Sequence, residues 1–304
     1  MKKEEEAPHL FNSISDLHRA LGLPKPLHPL VSLVDNTKIA IDKEQLPHSF
    51  LLNFYKISYK TGLRGKIRYG QNYYDFDEGG MVYTSPNQLL AVDDDTEYKG
   101  YTLLVHPDFT RNYPLGKKIK SFGFFSYAAN EALHLSEKEK TVILNIFKNI
   151  EEELQSSIDD FSQDVIITQI ELILNYSNRF YKRQFITRKA ASSDLLEKSE
   201  TFLDNYFNKE TALMKGLPTV QQLADELHVS THYLSDMLRT LTGQNAQQHI
   251  HGKLIEKAKE ILSISKLSVA EVAYQLGFEH PQSFNKLFKR KTNLSPLQFR
   301  QSFN

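Results

Sequence analysis

Cysteine is absent from all 304 residues, which excludes disulfide frameworks, Cys-ligated zinc, iron–sulfur clusters and thiol nucleophiles, and fits a reducing compartment. Tryptophan is absent too, although 15 Tyr and 19 Phe supply aromatic bulk. Net charge is lacking, because 37 Lys and Arg meet 37 Asp and Glu. The chain as a whole therefore has no positive field to announce a polyanion binder. No run of about 18 apolar residues occurs, and the opening Met1-Lys-Lys-Glu-Glu-Glu leads into no signal-peptide core, so a cytoplasmic protein without membrane contact is expected. A Gly-rich phosphate loop, Gly-x-Ser-x-Gly and His-Glu-x-x-His are all missing, and the chain is not expected to be an enzyme. His28, His48, His106 and His134 show neither His-x-His nor His-x-x-x-His spacing in the strand region. No metal and no cofactor are expected on that ground.

What is present is the composition of a packed protein, 40% hydrophobic and 24% charged, with enough length for two cores. The pattern predicts an α+β fold. Residues 49–59, 66–76, 80–85, 88–92 and 100–106 are rich in aromatic and β-branched types and separated by Gly, Pro and Asp clusters, which predicts short strands in a small barrel or sandwich. Ser136 with Glu139 forms a capping box that opens a helix to about Leu154, and a second helix is expected to open at Asp160. That helix carries Ile166, Ile170, Ile173 and Leu174 as an apolar stripe, either a dimer face or a packing face against the strands. The acid-free stretch 178–191, with Arg179, Lys182, Arg183, Arg188 and Lys189, is expected to be a linker. The expected domains are therefore 1–135 (strands), 136–191 (helices and linker) and 192–304 (all helical).

The helical part contains an internal repeat. In residues 219–243, Thr219 and Gln222 form a capping box, Leu223, Ala224 and Leu227 line one helix, and Ser230 caps a second helix with Leu234, Met237 and Leu238 inward and Gly243 at its end. In residues 268–293, Ser268 and Glu271 repeat the box, and Ala273, Leu276 and Phe278 follow 49 residues after Ala224, Leu227 and Val229. With one extra residue in the turn, Phe284, Leu287, Phe288 and Thr292 follow 50 residues after Leu234, Met237, Leu238 and Thr242, and Asn293 replaces Gly243. Each unit reads as a helix-turn-helix.

Two such units joined by a helix from Ala246 to about Ser263 resemble the DNA-binding domain of the AraC/XylS family of bacterial transcription regulators. The most specific stretches are Ala273-Tyr-Gln-Leu-Gly-Phe-Glu-His-Pro-Gln-Ser-Phe-Asn-Lys-Leu-Phe-Lys-Arg and Asn293-Leu-Ser-Pro-Leu-Gln-Phe-Arg300. More loosely, Tyr74-Asp-Phe through Tyr83-Thr-Ser-Pro-Asn-Gln resembles the cupin-like sensor domain of many members. The resemblance implies a sequence-specific regulator bound to double-stranded DNA, acting as a homodimer through the Ile166, Ile170, Ile173 and Leu174 helix, with RNA polymerase as partner if it activates. It places base readers at His232, Ser235 and Asp236 in the first unit and at Pro281, Gln282, Ser283 and Lys286 in the second. The family more often carries a long cationic or amide side chain at the Asp236 position, so this chain departs from the pattern there. Phosphate contacts are expected from Thr231, Arg239, Lys289, Arg290 and Arg300. A cupin-like barrel lined by Tyr55, Tyr59, Tyr69 and Tyr83 would hold a small organic effector. Two rivals are a regulator governed by a protein partner instead of an effector, and a cupin-type enzyme with a helical interaction domain.

Overall fold

The computed structural model describes residues 8–37, 47, 49–61, 67–69, 72–74, 79–91, 99–128, 131–156, 159, 161–187, 189–209 and 211–302. Side chains of 67–69, 72–74, 91 and 189–191 lie outside this description, as do His48, Asp160 and Arg188 altogether. The chain divides into two compact units, Met1–Gln184 and Phe185–Asn304.

The first unit opens with β1 (His9–Phe11), α1 (Ile14–Ala20) and β2 (Val31–Asp35). Then come β3 (Ser49–Leu52), β4 (Tyr55–Thr61), β5 (Ile67–Tyr69), β6 (Asn72–Tyr74), β7 (Gly80–Thr84), β8 (Leu89–Ala91) and β9 (Lys99–Val105). Two short helices, α2 (Pro107–Thr110) and α3 (Pro114–Lys118), lead to β10 (Leu133–His134) and the long helices α4 (Glu137–Gln155) and α5 (Ser162–Thr187). Five strands form an antiparallel sheet in the order β10-β7-β4-β9-β2, three form β1-β3-β8, and β5 pairs with β6.

The expected single strand over 49–59 is broken, and its pairing explains why. β3 pairs with β8 and β4 with β7 in one unbroken register, Leu51 opposite Leu89 and Lys56 opposite Thr84. The ladder bends where Asn53 and Phe54 face the 85–88 turn. Asn87 takes a left-handed φ of 61° there, and its N–H donates to the Leu52 carbonyl at 2.7 Å. Phe54, with no exposed surface, fills the corner. One long hairpin thus contributes to two sheets.

The cupin-like barrel expectation is not confirmed, since no closed barrel is found among the described residues. Among the described residues the sheets stay open, and the β10 edge is covered by a helix instead. Gln184 of α5 accepts from the His134 N–H at 2.8 Å and donates to the Ala132 carbonyl at 3.3 Å, standing in for a further strand. Tyr181 adds a bond to the Glu131 carbonyl, and Arg183 one to the His134 carbonyl. The stretch 179–187 is therefore helical, and the boundary between the two compact units falls within it, after Gln184. Its buried Phe180, Tyr181 and Phe185 continue the apolar stripe that its cations obscured in the sequence. The Ser136–Glu139 box forms as expected, and the same Glu139 carboxylate receives Arg183 at 2.9 Å.

Strand alternation decides the fate of the tyrosines. Tyr55, Ile57 and Tyr59 share one face of β4, and that face looks toward the helices. Tyr83 donates to the Ser177 hydroxyl of α5 and packs on Phe124, Phe125 and Tyr181, while Tyr101 stacks on Phe147 of α4. Tyr55, Tyr59 and Tyr83 are buried core side chains. Burial pushes all three phenols up in pKa. Tyr69 sits in β5 with its side chain outside the described residues.

The stripe on α5 is also inward. Ile166, Ile170, Ile173 and Leu174 are buried within this unit, while Val165 and Leu172 are left exposed. The packing alternative therefore holds for the stripe, and these four residues offer no free dimer face. Of the histidines, His28 accepts from the Leu30 N–H, and His106 caps α2 by accepting from Asp108.

The second unit is helical throughout: α6 (Lys189–Asn208), α7 (Thr211–Lys215), α8 (Val220–Glu226), α9 (Thr231–Thr242), α10 (Ala246–Ile264), α11 (Val269–Gln275), α12 (Pro281–Thr292) and α13 (Pro296–Gln301). No helix among the described residues is long and apolar enough to cross a membrane.

Candidate nucleic-acid interface

Both helix-turn-helix units are built by one set of local rules. Thr219 and Ser268 cap α8 and α11 with reciprocal bonds to Gln222 and Glu271. Each first helix ends on a left-handed residue, His228 at φ 55° and Gly277 at φ 89°. The turns close on matched bonds, Val229 N–H to Ala224 and Phe278 N–H to Ala273, both 3.0 Å. Ser230 caps α9 through the Tyr233 N–H, whereas α12 has no side-chain cap and begins on Pro281, whose fixed φ suits the first helical position. Gly243 and Asn293 end the two recognition helices in left-handed conformation, as their residue types predict.

The repeat continues beyond Gly243 and Asn293, where the sequence pattern stopped. Thr242 and Thr292 each donate to a carbonyl four residues back and accept the N–H two residues on. Asn245 and Ser295 then cap α10 and α13 with boxes closed by Gln248 and Gln298. The signal was present in the pairs Thr242/Thr292 and Gln248/Gln298, each 50 residues apart.

Packing orients both recognition helices. Leu234, Met237 and Leu238 are buried under α9, and Phe284, Leu287 and Phe288 under α12. Around α12 the core gathers Leu254, Ile255, Ala258, Ile261 and Leu262 from α10 with Val272, Ala273, Leu276 and Phe278. Each Val, Leu, Ile or Phe among them is worth about 1.5–3 kcal/mol on burial. This core fixes the direction in which the opposite faces point.

Those opposite faces differ. On α12, Gln282, Ser283, Asn285, Lys286, Lys289, Arg290 and Lys291 are exposed and Pro281 is half-buried. The helix carries no acid. On α9, His232 and Arg239 are exposed while Thr231, Ser235 and Asp236 are half-buried. Arg239 Nη1 lies 2.8 Å from Asp236 Oδ1, an i,i+3 pair on the helix surface. The first recognition helix thus balances its own charge.

Arg300, expected at a phosphate, is tied to the protein backbone at one nitrogen. Its guanidinium is partly buried, and Nε donates to the Leu262 carbonyl at 3.3 Å, near the end of α10, where a cation also suits the helix dipole. On α10, burial lowers His251 below its usual 6.5, and the Lys291 and Arg290 charges act in the same direction.

Residues 223–302 match the family described as a helix-turn-helix domain. The transcriptional activator RhaR of Escherichia coli K12 is 28% identical over 117 residues, 38% of this chain and 42% of RhaR. The helical C-terminal part of the chain matches an AraC-type helix-turn-helix domain. Its match to RhaR spans about two-fifths of that protein and rests on the AraC-type domain. Among solved structures, the C-terminal domain of the response regulator yesN from Fusobacterium nucleatum is 30% identical, covering 33% of this chain and 96% of that one, with a TM-score of 0.29. The DNA-binding domain of the global transcriptional factor AdpA, solved with a target DNA, is 26% identical, covering 36% and 91%, with a TM-score of 0.31.

Proposed function

We propose that the chain is a sequence-specific, DNA-binding transcriptional regulator of the AraC type, acting in the cytoplasm and not as an enzyme. One observation carries the reading: a duplicated helix-turn-helix whose second recognition helix presents an acid-free face with Lys286, Lys289, Arg290 and Lys291 exposed. A helix of this kind fits the major groove, and side chains near its N-terminal end reach base edges. Gln282, Ser283 and Lys286 are placed to read bases, Lys because it reaches guanine O6 and N7. Lys289 and Arg290, a turn further on, are placed for phosphate. In the first unit His232, Ser235 and Asp236 occupy the reading positions. Two readers spaced by α10 would enter major-groove segments about 34 Å apart.

RhaR is described as a transcriptional activator, and on that likeness the proposal extends to activation with RNA polymerase as partner. Residues Met1–Gln184 are assigned the regulatory role, through a small organic effector. Binding of the full chain to a pool of random-sequence duplexes tests the DNA-binding reading. Enrichment of a bipartite motif, with affinity falling steeply as salt rises, is the expected result. Retention of no duplex above background would overturn it.

A further inference from the structure

We propose that Asp236 is the specificity-determining residue of the first helix-turn-helix, and that Arg239 is its positioning residue and not a phosphate anchor. The inference rests on the DNA-binding reading above. Asp236 stands on the outward face of α9, opposite the buried Leu234, Met237 and Leu238. Its carboxylate is an acceptor only. Within the major groove, the donors are the amino groups of cytosine and adenine. Adenine N6 lies beside the acceptor N7, which repels a carboxylate, while cytosine N4 has no acceptor beside it on its own base. Guanine offers acceptors at N7 and O6 and thymine one at O4. A carboxylate at this position therefore selects cytosine.

Arg239 makes that selection sustainable. At 2.8 Å it offsets the carboxylate's charge and fixes one of its oxygens. If Arg239 left for a phosphate, Asp236 would lose the cation beside it while facing the DNA backbone. The second unit needs no help from it, because α12 already presents four cations. The two helices divide the work: α12 holds the duplex and α9 discriminates on it.

The test uses the full chain and duplexes enriched by the wild-type protein, with affinity measured at several salt concentrations and at each substituted base pair. Asp236→Asn is expected to relax preference at one C·G pair by about fivefold to a hundredfold. It should also steepen the salt slope by about 0.9, as Arg239 becomes available to one phosphate. Arg239→Ala should leave the salt slope unchanged while weakening the same C·G preference, and Arg239→Lys should restore that preference. Arg239 is exposed, so its replacement does not disturb the core and serves even where an Asp236 variant folds poorly. A salt slope reduced by about 0.9 in Arg239→Ala would assign Arg239 to phosphate and overturn the proposal. So would unchanged preference at every base pair in Asp236→Asn. Both results presuppose wild-type binding, whereas failure of the wild-type chain to enrich any duplex would overturn the DNA-binding reading itself.

Discussion

Two residues at the same place in the two turns show how much a neighbourhood decides. His228 and Gly277 both hold left-handed backbone, yet His228 is exposed, and its turn tolerates a side chain. A Cβ on Gly277 would stand 2.7 Å from the Ala212 carbonyl oxygen and 2.7 Å from the Gly216 carbonyl carbon, backbone atoms that cannot rotate away. Gly277→Ala is therefore expected to cost about 2 kcal/mol or more, from left-handed strain plus overpacking. His228→Gly should change stability by less than about 1 kcal/mol. Denaturant titration of the two variants separates these outcomes. At the same scale, Tyr83→Phe removes a buried hydroxyl whose acceptor, Ser177, keeps its own bond to the Ile173 carbonyl at 2.7 Å. The expected cost is about 1 kcal/mol.

At the level of elements, α12 and α10 carry the sharpest expectations. Lys286→Ala should relax preference at one base pair by about 1–3 kcal/mol, whereas Arg290→Ala should weaken all sequences alike and lower the salt slope by about one. Equal behaviour of the two in a salt series over single-base variants would show that the reader and anchor assignments are wrong. On α10, His251 has a lowered pKa in the folded chain, chiefly from burial, so the unfolded chain takes up its proton first as pH falls below 6.5. Its contribution to stability is thus complete above 6.5 and is lost as the pH drops toward the lowered folded value. Thermal unfolding should show a midpoint that declines below pH 6.5, and His251→Gln should flatten part of that decline. The capping boxes were legible as residue pairs, because Ser, Thr and Asn beside Glu or Gln three positions on state their own geometry. The end of α5 was not, because five cations in 178–191 resembled a solvated linker while Phe180, Tyr181 and Phe185 supplied the helical stripe beneath them.

For the whole molecule, legibility followed the range of the interactions. The second unit is made of local rules applied twice, and repetition exposed it: caps, left-handed ends and the 49- and 50-residue spacings all concern neighbours in sequence. The first unit depends on pairings between distant strands. Its short strands could be read, but nothing local distinguished a closed barrel from open sheets whose edge is covered by Gln184, nor showed that alternation turns Tyr55, Tyr59 and Tyr83 toward helices. The outward face of α9 was legible from its inward Leu234, Met237 and Leu238, whereas the contact between Asp236 and Arg239 on that face is a property of the folded helix. The central claim is that α12 provides the electrostatic hold on duplex DNA. Its most direct test is the salt dependence of binding by the full chain with Lys289 and Arg290 both replaced by Ala. The account predicts weaker binding to every duplex and a slope of log K against log salt that is shallower by about 0.9 for each lost phosphate contact. An unchanged slope would contradict it.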